Sequence, residues 1–291
     1  MRIQYGIIIL NYIAWEETID CVNSFLRQKN DHNIYIVVVD NGSPNESVLK
    51  LREAFINEPM VDVLCLNENS GFARGNNAGF RYLREKIDCD FFVFSNSDII
   101  IDGDVFSWIE NEFELSHFNL LGPDIFAIKM QKHQNPLRSY TENRLVIELK
   151  ILKKRIEILL NYILLKTGVK YNKRKIKQEQ NRNVERAKRI ENVTLHGSFI
   201  IAHKSFFDYY DELFDDRTFL YMEEHILFQR CKRKALKTLV SFGFQVTHLQ
   251  AASTNKITKS IYARRIARMR NEIDSVKIYK KNINENKKER N

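Results

Sequence analysis

An α/β fold on a mostly parallel sheet is predicted for this chain of 291 residues by three features of its sequence. Short apolar, β-branched runs alternate with amphipathic stretches through the first hundred residues, as strands joined by crossover helices do. Polar clusters recur where those runs end, and that is where open parallel sheets bind ligands. Hydrophobic residues make up 44% of the chain and charged residues 29%, enough apolar material to cover both faces of such a sheet.

The elements follow in order. Tyr5–Leu10 is a continuous apolar run, the mark of a strand buried on both faces. Thr18 to Gln28 reads as a helix with Ile19, Val22, Phe25 and Leu26 on one side. Ile34 to Val39 is the clearest strand, β-branched and bounded by polar residues. Val48 to Ile56 is a helix, Val61 to Leu66 a strand and Ala73 to Lys86 a helix. Phe91 to Phe94 is a fourth strand, ended by Ser95-Asn96-Ser97-Asp98. Asn11, Asp40 to Ser43, Asn67 to Gly71 and Asn96 to Asp98 all fall at carboxyl ends, so they are expected to converge on one crevice.

The pattern then changes. Leu145, Leu149, Leu152, Ile156, Leu159 and Ile163 are spaced 4-3-4-3-4, an apolar stripe on a long helix. Lys150, Lys153, Lys154 and Arg155 occupy its other faces, and a basic stretch, Lys170 to Arg189, follows. Val193 to Ala202 resumes the α/β pattern as a strand containing Gly197, Ile226 to Ala235 is an amphipathic helix, and Leu239 to Val246 is a further strand. The tail carries Tyr262, Ile266, Met269, Ile273 and Val276 at 4-3-4-3 spacing in a basic helix. The chain thus divides into an α/β body (1–130 and 193–255), a basic helical insertion (131–192) and a basic helical tail (256–291).

Charge follows the same division. The insertion holds 17 Lys/Arg against 6 Asp/Glu and the tail 12 against 4, while the body holds 17 against 27. Basic appendages on an acidic body suit an anionic membrane surface. Nucleic-acid binders instead carry their charge on the body and interleave aromatic residues with it. The four cysteines are far apart with no C-x-x-C pair, which argues against a zinc site or disulfide framework and suits a reducing compartment. Five apolar residues before Asn11 are too few for a signal-peptide core, and no run approaches the roughly 18–20 residues of a membrane span. A cytoplasmic protein is expected, peripheral at most on the inner face of the membrane.

Several residue groups can carry chemistry. Asp40-Asn41-Gly42-Ser43 is either a turn cluster or part of a ligand site. Asn69 to Gly79 places three glycines and three asparagines at the start of a helix, where backbone amides face a ligand. It is neither a P-loop nor a dinucleotide fingerprint. Asp98 is either a cap or a ligand to a hard divalent cation completed by diphosphate oxygens. His248 ends a late strand, as a structural histidine or as part of a site. Glu223-Glu224 precedes an amphipathic helix; the pair either complements the helix dipole or supplies a general base whose pKa its neighbour raises.

Taken together, Ile7 to Tyr12, Val38 to Ser43, Asn67 to Gly79, Phe94 to Asp98, Gly197 to Phe199, Phe219 to Arg230 and Val246 to His248 with Ser253 resemble the family 2 glycosyltransferases, within them the rhamnosyltransferase-like enzymes of bacterial surface polysaccharide assembly. The resemblance implies a GT-A fold, a nucleoside-diphosphate sugar donor (dTDP-rhamnose or a UDP-hexose), a divalent metal (Mg²⁺ or Mn²⁺) and transfer with inversion to a glycan or lipid-linked acceptor. It makes 1–130 the nucleotide-sugar half of the body and 193–255 the acceptor and catalytic half. By position it implies that Asp40, with Asn11 and Asn41 nearby, binds the nucleoside. Asn69, Gly71, Arg74 and Asn76 shape the nucleotide and sugar pocket. Asn96 and Asp98 stand at the D-x-D-like metal motif, with Asn in its first place, and His248 at a late histidine facing the metal. Glu224 occupies the catalytic-base position and Glu223 the one before it. The alternatives are a nucleotidyltransferase, for which no Gly-rich, Lys/Arg-bearing triphosphate loop follows the first strand, and a non-catalytic nucleic-acid module. Two packing fates are open to the stripe of 145–163: against the body or a second copy, or on a membrane.

Overall fold

The computed structural model describes residues 3–28, 31–167, 188–250 and 260–288. Its first part is the predicted alternation: β1 (Gln4–Asn11), α1 (Trp15–Leu26), β2 (Asn33–Asp40), α2 (Ser47–Phe55), β3 (Val61–Cys65), α3 (Phe72–Lys86) and β4 (Phe91–Asn96). Then come β5 (Ile99–Ile101), α4 (Val105–Ser116), β6 (Leu120–Ala127), β7 (Lys132–His133), α5 (Arg144–Thr167) and β8 (Arg189–Glu191). The chain closes with β9 (Phe199–His203), α6 (Glu223–Arg233), β10 (Thr238–His248) and α7 (Ile261–Lys288).

One sheet runs in the order β3-β2-β1-β4-β9-β6-β10-β5, with β7 on β6 and β8 on β10. The β3-β2-β1-β4 half is wholly parallel. Beyond it β9 runs antiparallel to β4 and to β6, while β6 and β10 are parallel. Alternate residues of each strand face opposite sides. Ile7, Ile9, Ile36, Val38 and Val93 therefore pack with Val22 and Phe25 of α1 and Phe106 and Ile109 of α4. Ile8, Val37, Val39, Phe92 and Phe94 pack with Phe80 and Leu83 of α3 and Leu227 of α6. Covering both faces is what the unbroken apolar runs required.

One expectation is corrected and one open choice is narrowed. Val193 to Ala202 is not one strand: only Phe199–His203 pairs as one, and Thr194 makes an isolated bridge to Leu137. The amides between are used elsewhere, His196 N–H on Asn135 Oδ1 (2.7 Å) and Gly197 N–H on Glu224 Oε1 (3.3 Å), so no ladder forms there. The Leu145–Ile163 stripe of α5 does not pack against the body, for its six residues are exposed. The helix docks instead through Ile147 and Ile151, in a cluster with Met222, Ile226, Ile273, Val276, Tyr279 and Ile283. The α7 stripe, of similar spacing, is buried from Tyr262 through Val276. Lys170 to Arg189 lies mostly outside the described residues. All four cysteines are unpaired thiols.

Candidate active site

The carboxyl ends of β1 and β2 meet as expected. Asn11 Nδ2 donates to Asp40 Oδ2 (2.6 Å), and Asn11 Oδ1 accepts from Ala14 N–H and Thr18 Oγ1. Asp40 Oδ1 accepts from Ser43 N–H (2.9 Å). Asp40 is wholly buried; one of its oxygens holds the loop after β2 and the other the end of β1. Asn41 Nδ2 donates to Asn69 Oδ1 and Gly71 O, while its Oδ1 accepts from Ser70 N–H and Oγ. Asn41 thus ties the loop that opens α3.

Gly71 has φ +88°, and a Cβ there would lie 2.3 Å from Phe219 O. Only glycine allows that approach, and the next amide, Phe72 N–H, donates to Phe219 O (2.8 Å). The segment leading to α6 is in this way seated on the start of α3. Arg74 Nε donates to Asp216 O from an exposed position, and Asn76 Nδ2 to Phe72 O within the helix. Asn77, given no separate role by the sequence, is the stronger clamp. It donates to Glu212 Oε2 and Phe214 O and accepts from Phe214 N–H.

Asp98 and His248, 150 positions apart in the chain, are brought together by β5 and β10. The strands pair antiparallel with His248 opposite Ile99. His248 Nε2 lies 3.2 Å from Asp98 Oδ1. His248 Nδ1 lies 2.6 Å from Gln134 Oε1, an acceptor, so the network puts a proton on Nδ1. In the neutral ring Nε2 then turns a lone pair toward a carboxylate oxygen, an arrangement completed by a proton or a cation.

Glu223 and Glu224 open α6. The two residues before them, Tyr221 and Met222, both have positive φ (77° and 70°). Successive non-glycine residues in that region store strain of about 1–3 kcal/mol each, here in the turn leading into both carboxylates. They line a cavity of about 450 Å³ together with Phe72, Asn96, His196 and Ser198. Its far wall comes from the appendages: Tyr140, Lys154 of α5 and Glu272 and Val276 of α7. Lys154 and Glu272 form an ion pair across it, and Arg268 Nε also donates to Glu272 (2.8 Å). No motif marks Tyr140, Lys154, His196 or Glu272 in the sequence, because folding alone gathers them.

Burial decides the protonation states. It pushes Glu223 up to about 8, helped by the charge of Glu224, against hydrogen bonds from Thr218 and nearby backbone. Glu223 Oε1 is buried without a hydrogen-bond partner among the described residues, which suits a protonated carboxyl. Glu224 is also raised by burial, opposed by its hydrogen bonds. Burial, then His248, lowers His196 to about 4. Its Nδ1 accepts from Ser198 N–H (3.2 Å), leaving the ring proton on Nε2. Burial and Lys150 lower His225 to about 4. At neutral pH both histidines are uncharged.

Glu223 carries a stability test. Between the ordinary carboxylate range and about 8, the folded chain holds a proton that the unfolded chain has released. Stability therefore falls as pH rises through that window. Glu223→Gln is expected to flatten this decline, gaining on wild type by on the order of a few kcal/mol between about pH 5 and 8. Thermal melts across that range check it; parallel curves for the two proteins would count against a buried proton on Glu223.

The sequence model of the family described as Glycosyl transferase family 2 matches residues 6–163, more than half of the chain. The dTDP-rhamnosyl transferase RfbF of Shigella flexneri is 23% identical over 133 residues, 46% of this chain and 43% of that protein. Among solved structures, S. aureus TarS 1–349 superposes with a TM-score of 0.55 at 14% identity, over 92% of this chain and 65% of that one. The same TarS segment in complex with UDP gives 0.54, at 14% identity and the same coverage. The chain thus spans less than half of RfbF and under two-thirds of the TarS segment. At that identity the TarS likeness establishes the fold, a GT-A sheet with its helices.

Proposed function

Because this chain belongs to glycosyl transferase family 2, we propose that it moves a sugar, with inversion, from a nucleoside-diphosphate donor to a hydroxyl of a glycan or lipid-linked acceptor in bacterial polysaccharide assembly. The donor is dTDP-rhamnose or a UDP-hexose. The first is favoured by the likeness to a dTDP-rhamnosyl transferase, the second by the UDP held in the TarS structure.

The observation that carries this reading is the position of Glu224. It sits in a cavity that also reaches Asn96 at the carboxyl end of the parallel sheet, so a donor over the sheet and an acceptor over α6 meet beside one carboxylate. An acceptor hydroxyl attacks well only if its proton is taken as the new bond forms. Burial raises Glu224 toward the pH at which it must work, and the Gly197 N–H on Oε1 fixes its orientation. Attack from that side, with the diphosphate leaving toward the sheet, inverts the anomeric carbon. Glu223, raised by burial, keeps its proton and so places no second negative charge beside Glu224. The strained turn at Tyr221 and Met222 presents both groups.

The leaving diphosphate also needs its charge offset. No group of three or more His, Cys, Asp or Glu side chains with metal-binding geometry occurs among the described residues. The Asp98–His248 pair, one carboxylate oxygen facing one imidazole nitrogen, fits a divalent ion that draws its other ligands from the diphosphate. Such an ion, Mg²⁺ or Mn²⁺, supplies Lewis-acid stabilisation of the departing nucleotide. Gln134 holds the imidazole in the tautomer that can bind it.

The test is a thermal-shift panel of UDP, dTDP, GDP and CDP, with and without Mn²⁺, on wild type and Asp98→Ala. A ligand at about 100 times its Kd stabilises by roughly 2.7 kcal/mol. A Mn²⁺-dependent shift with one base, absent in Asp98→Ala, is expected; no shift with any nucleotide would remove the donor reading.

A further inference from the structure

Seven apolar residues of α5, Leu145, Leu149, Leu152, Ile156, Leu159, Leu160 and Ile163, are each between 51% and 76% exposed. At about 100° per residue they form one contiguous arc roughly 100° wide. The face that packs on the rest of the chain, Ile147 and Ile151, lies on the other side of the helix. The α7 stripe shows what such spacing does when a cover exists: Tyr262, Ile266, Met269, Ile273 and Val276 are at most 8% exposed. An apolar arc of this size left exposed among the described residues marks an interaction surface.

The charges around it select the occupant. Arg155 and Lys166 flank the arc on one side and Lys153 on the other, all exposed; Glu148, on the same rim as Lys166, is ion-paired with Lys280. The insertion as a whole carries 17 Lys/Arg against 6 Asp/Glu. A second copy laid on this face would bring like charge against like charge, whereas an anionic lipid surface complements it. No helix among the described residues is long and apolar enough to cross a membrane. An apolar face rimmed by Lys and Arg, on a helix that does not span, is the pattern of one lying in the interface plane.

We infer that α5 docks flat on an anionic bilayer, with the Leu145–Ile163 face at the boundary of headgroups and acyl chains. On the opposite side of the same helix, Lys154 lines the cavity that holds Glu224. Docking therefore sets that cavity about one helix diameter, roughly 10 Å, from the lipid surface. Resting on the transferase reading, this makes the acceptor a saccharide presented on a membrane lipid rather than a free glycan.

The docking step is tested without catalysis, so its failure and a failure of the transferase reading are separable. The full chain is sedimented with phosphatidylcholine vesicles, with and without phosphatidylglycerol. Wild type is expected to partition at least about tenfold more strongly onto the anionic vesicles. Leu152→Ser/Ile156→Ser/Leu159→Ser is expected to lose that gain with an unchanged Tm, since those side chains are already in water. Lys153→Glu/Arg155→Glu is expected to lose the dependence on phosphatidylglycerol. Equal sedimentation of wild type and the triple-serine variant overturns the proposal. So does a dimer in sedimentation velocity that the triple-serine variant abolishes, with no vesicle binding by wild type; the second copy would then be the occupant.

Discussion

Glu224→Gln is expected to lower turnover by about 10²–10⁴-fold, the typical contribution of general-base catalysis, while nucleotide binding survives. The amide keeps the shape of the carboxylate, and its carbonyl can still accept the Gly197 N–H that holds Glu224 Oε1 now. What is lost is the capacity to take a proton. Steady-state turnover beside a nucleotide thermal shift separates the two effects; near-normal turnover would remove Glu224 from the role. The pH profile adds a sign. A base must be deprotonated to act, and burial raises the pKa of Glu224. The acidic limb of kcat/KM is therefore expected above the ordinary carboxylate range, with activity falling as pH falls through it.

Gly197→Ala is expected to cost roughly a hundredfold in turnover, although Gly197 has no side chain to contribute. A Cβ at that position would stand 2.7 Å from Glu224 Oε1, closer than real Cβ contacts come. The carboxylate has to swing away from residue 197 and out of its present position, and a displacement of about 1 Å in a reacting group can cost 10²-fold. The clash falls on the end of one side chain, not on backbone, so the fold is expected to absorb it with little change in Tm. Turnover, nucleotide affinity and Tm measured together decide the matter. A large fall in Tm would mean that Gly197 supports the fold, and unchanged turnover would mean that Glu224 need not hold its present position.

Part of this site is legible in the sequence: of the cavity lining, Asn96 stands at a strand end and Glu223 and Glu224 at the start of a helix, whereas Asn11, Asp40, Asn41 and Asn69 lie outside it. β1 to β4 are buried on both faces, and that burial requires unbroken apolar runs whose polar terminations are visible one by one. Asn11, Asp40, Asn41 and Asn69 are assigned to one crevice by that rule alone, and hydrogen bonds join Asn11 to Asp40 and Asn41 to Asn69. Their bonds to one another and to the loops, above all the burial of Asp40, are not legible, since a polar strand end does not say whether its side chain faces ligand or backbone. Asn77 is the counterpart, a clamp with no mark beyond its place in a polar run.

The appendages divide the two kinds of information most clearly. Local period alone determined that 145–163 and 262–276 are helices with an apolar face, because side-chain direction on a helix depends only on spacing. Which face finds a partner was decided by tertiary structure: α7 buries its stripe, whereas α5 turns its stripe to solvent and docks through Ile147 and Ile151. The same docking carries Lys154 to Glu272 and both to Glu224, and the pairing of β5 with β10 carries Asp98 to His248. Spacing along the chain sets what a residue presents. The packing of whole elements, which no local pattern encodes, sets what it meets.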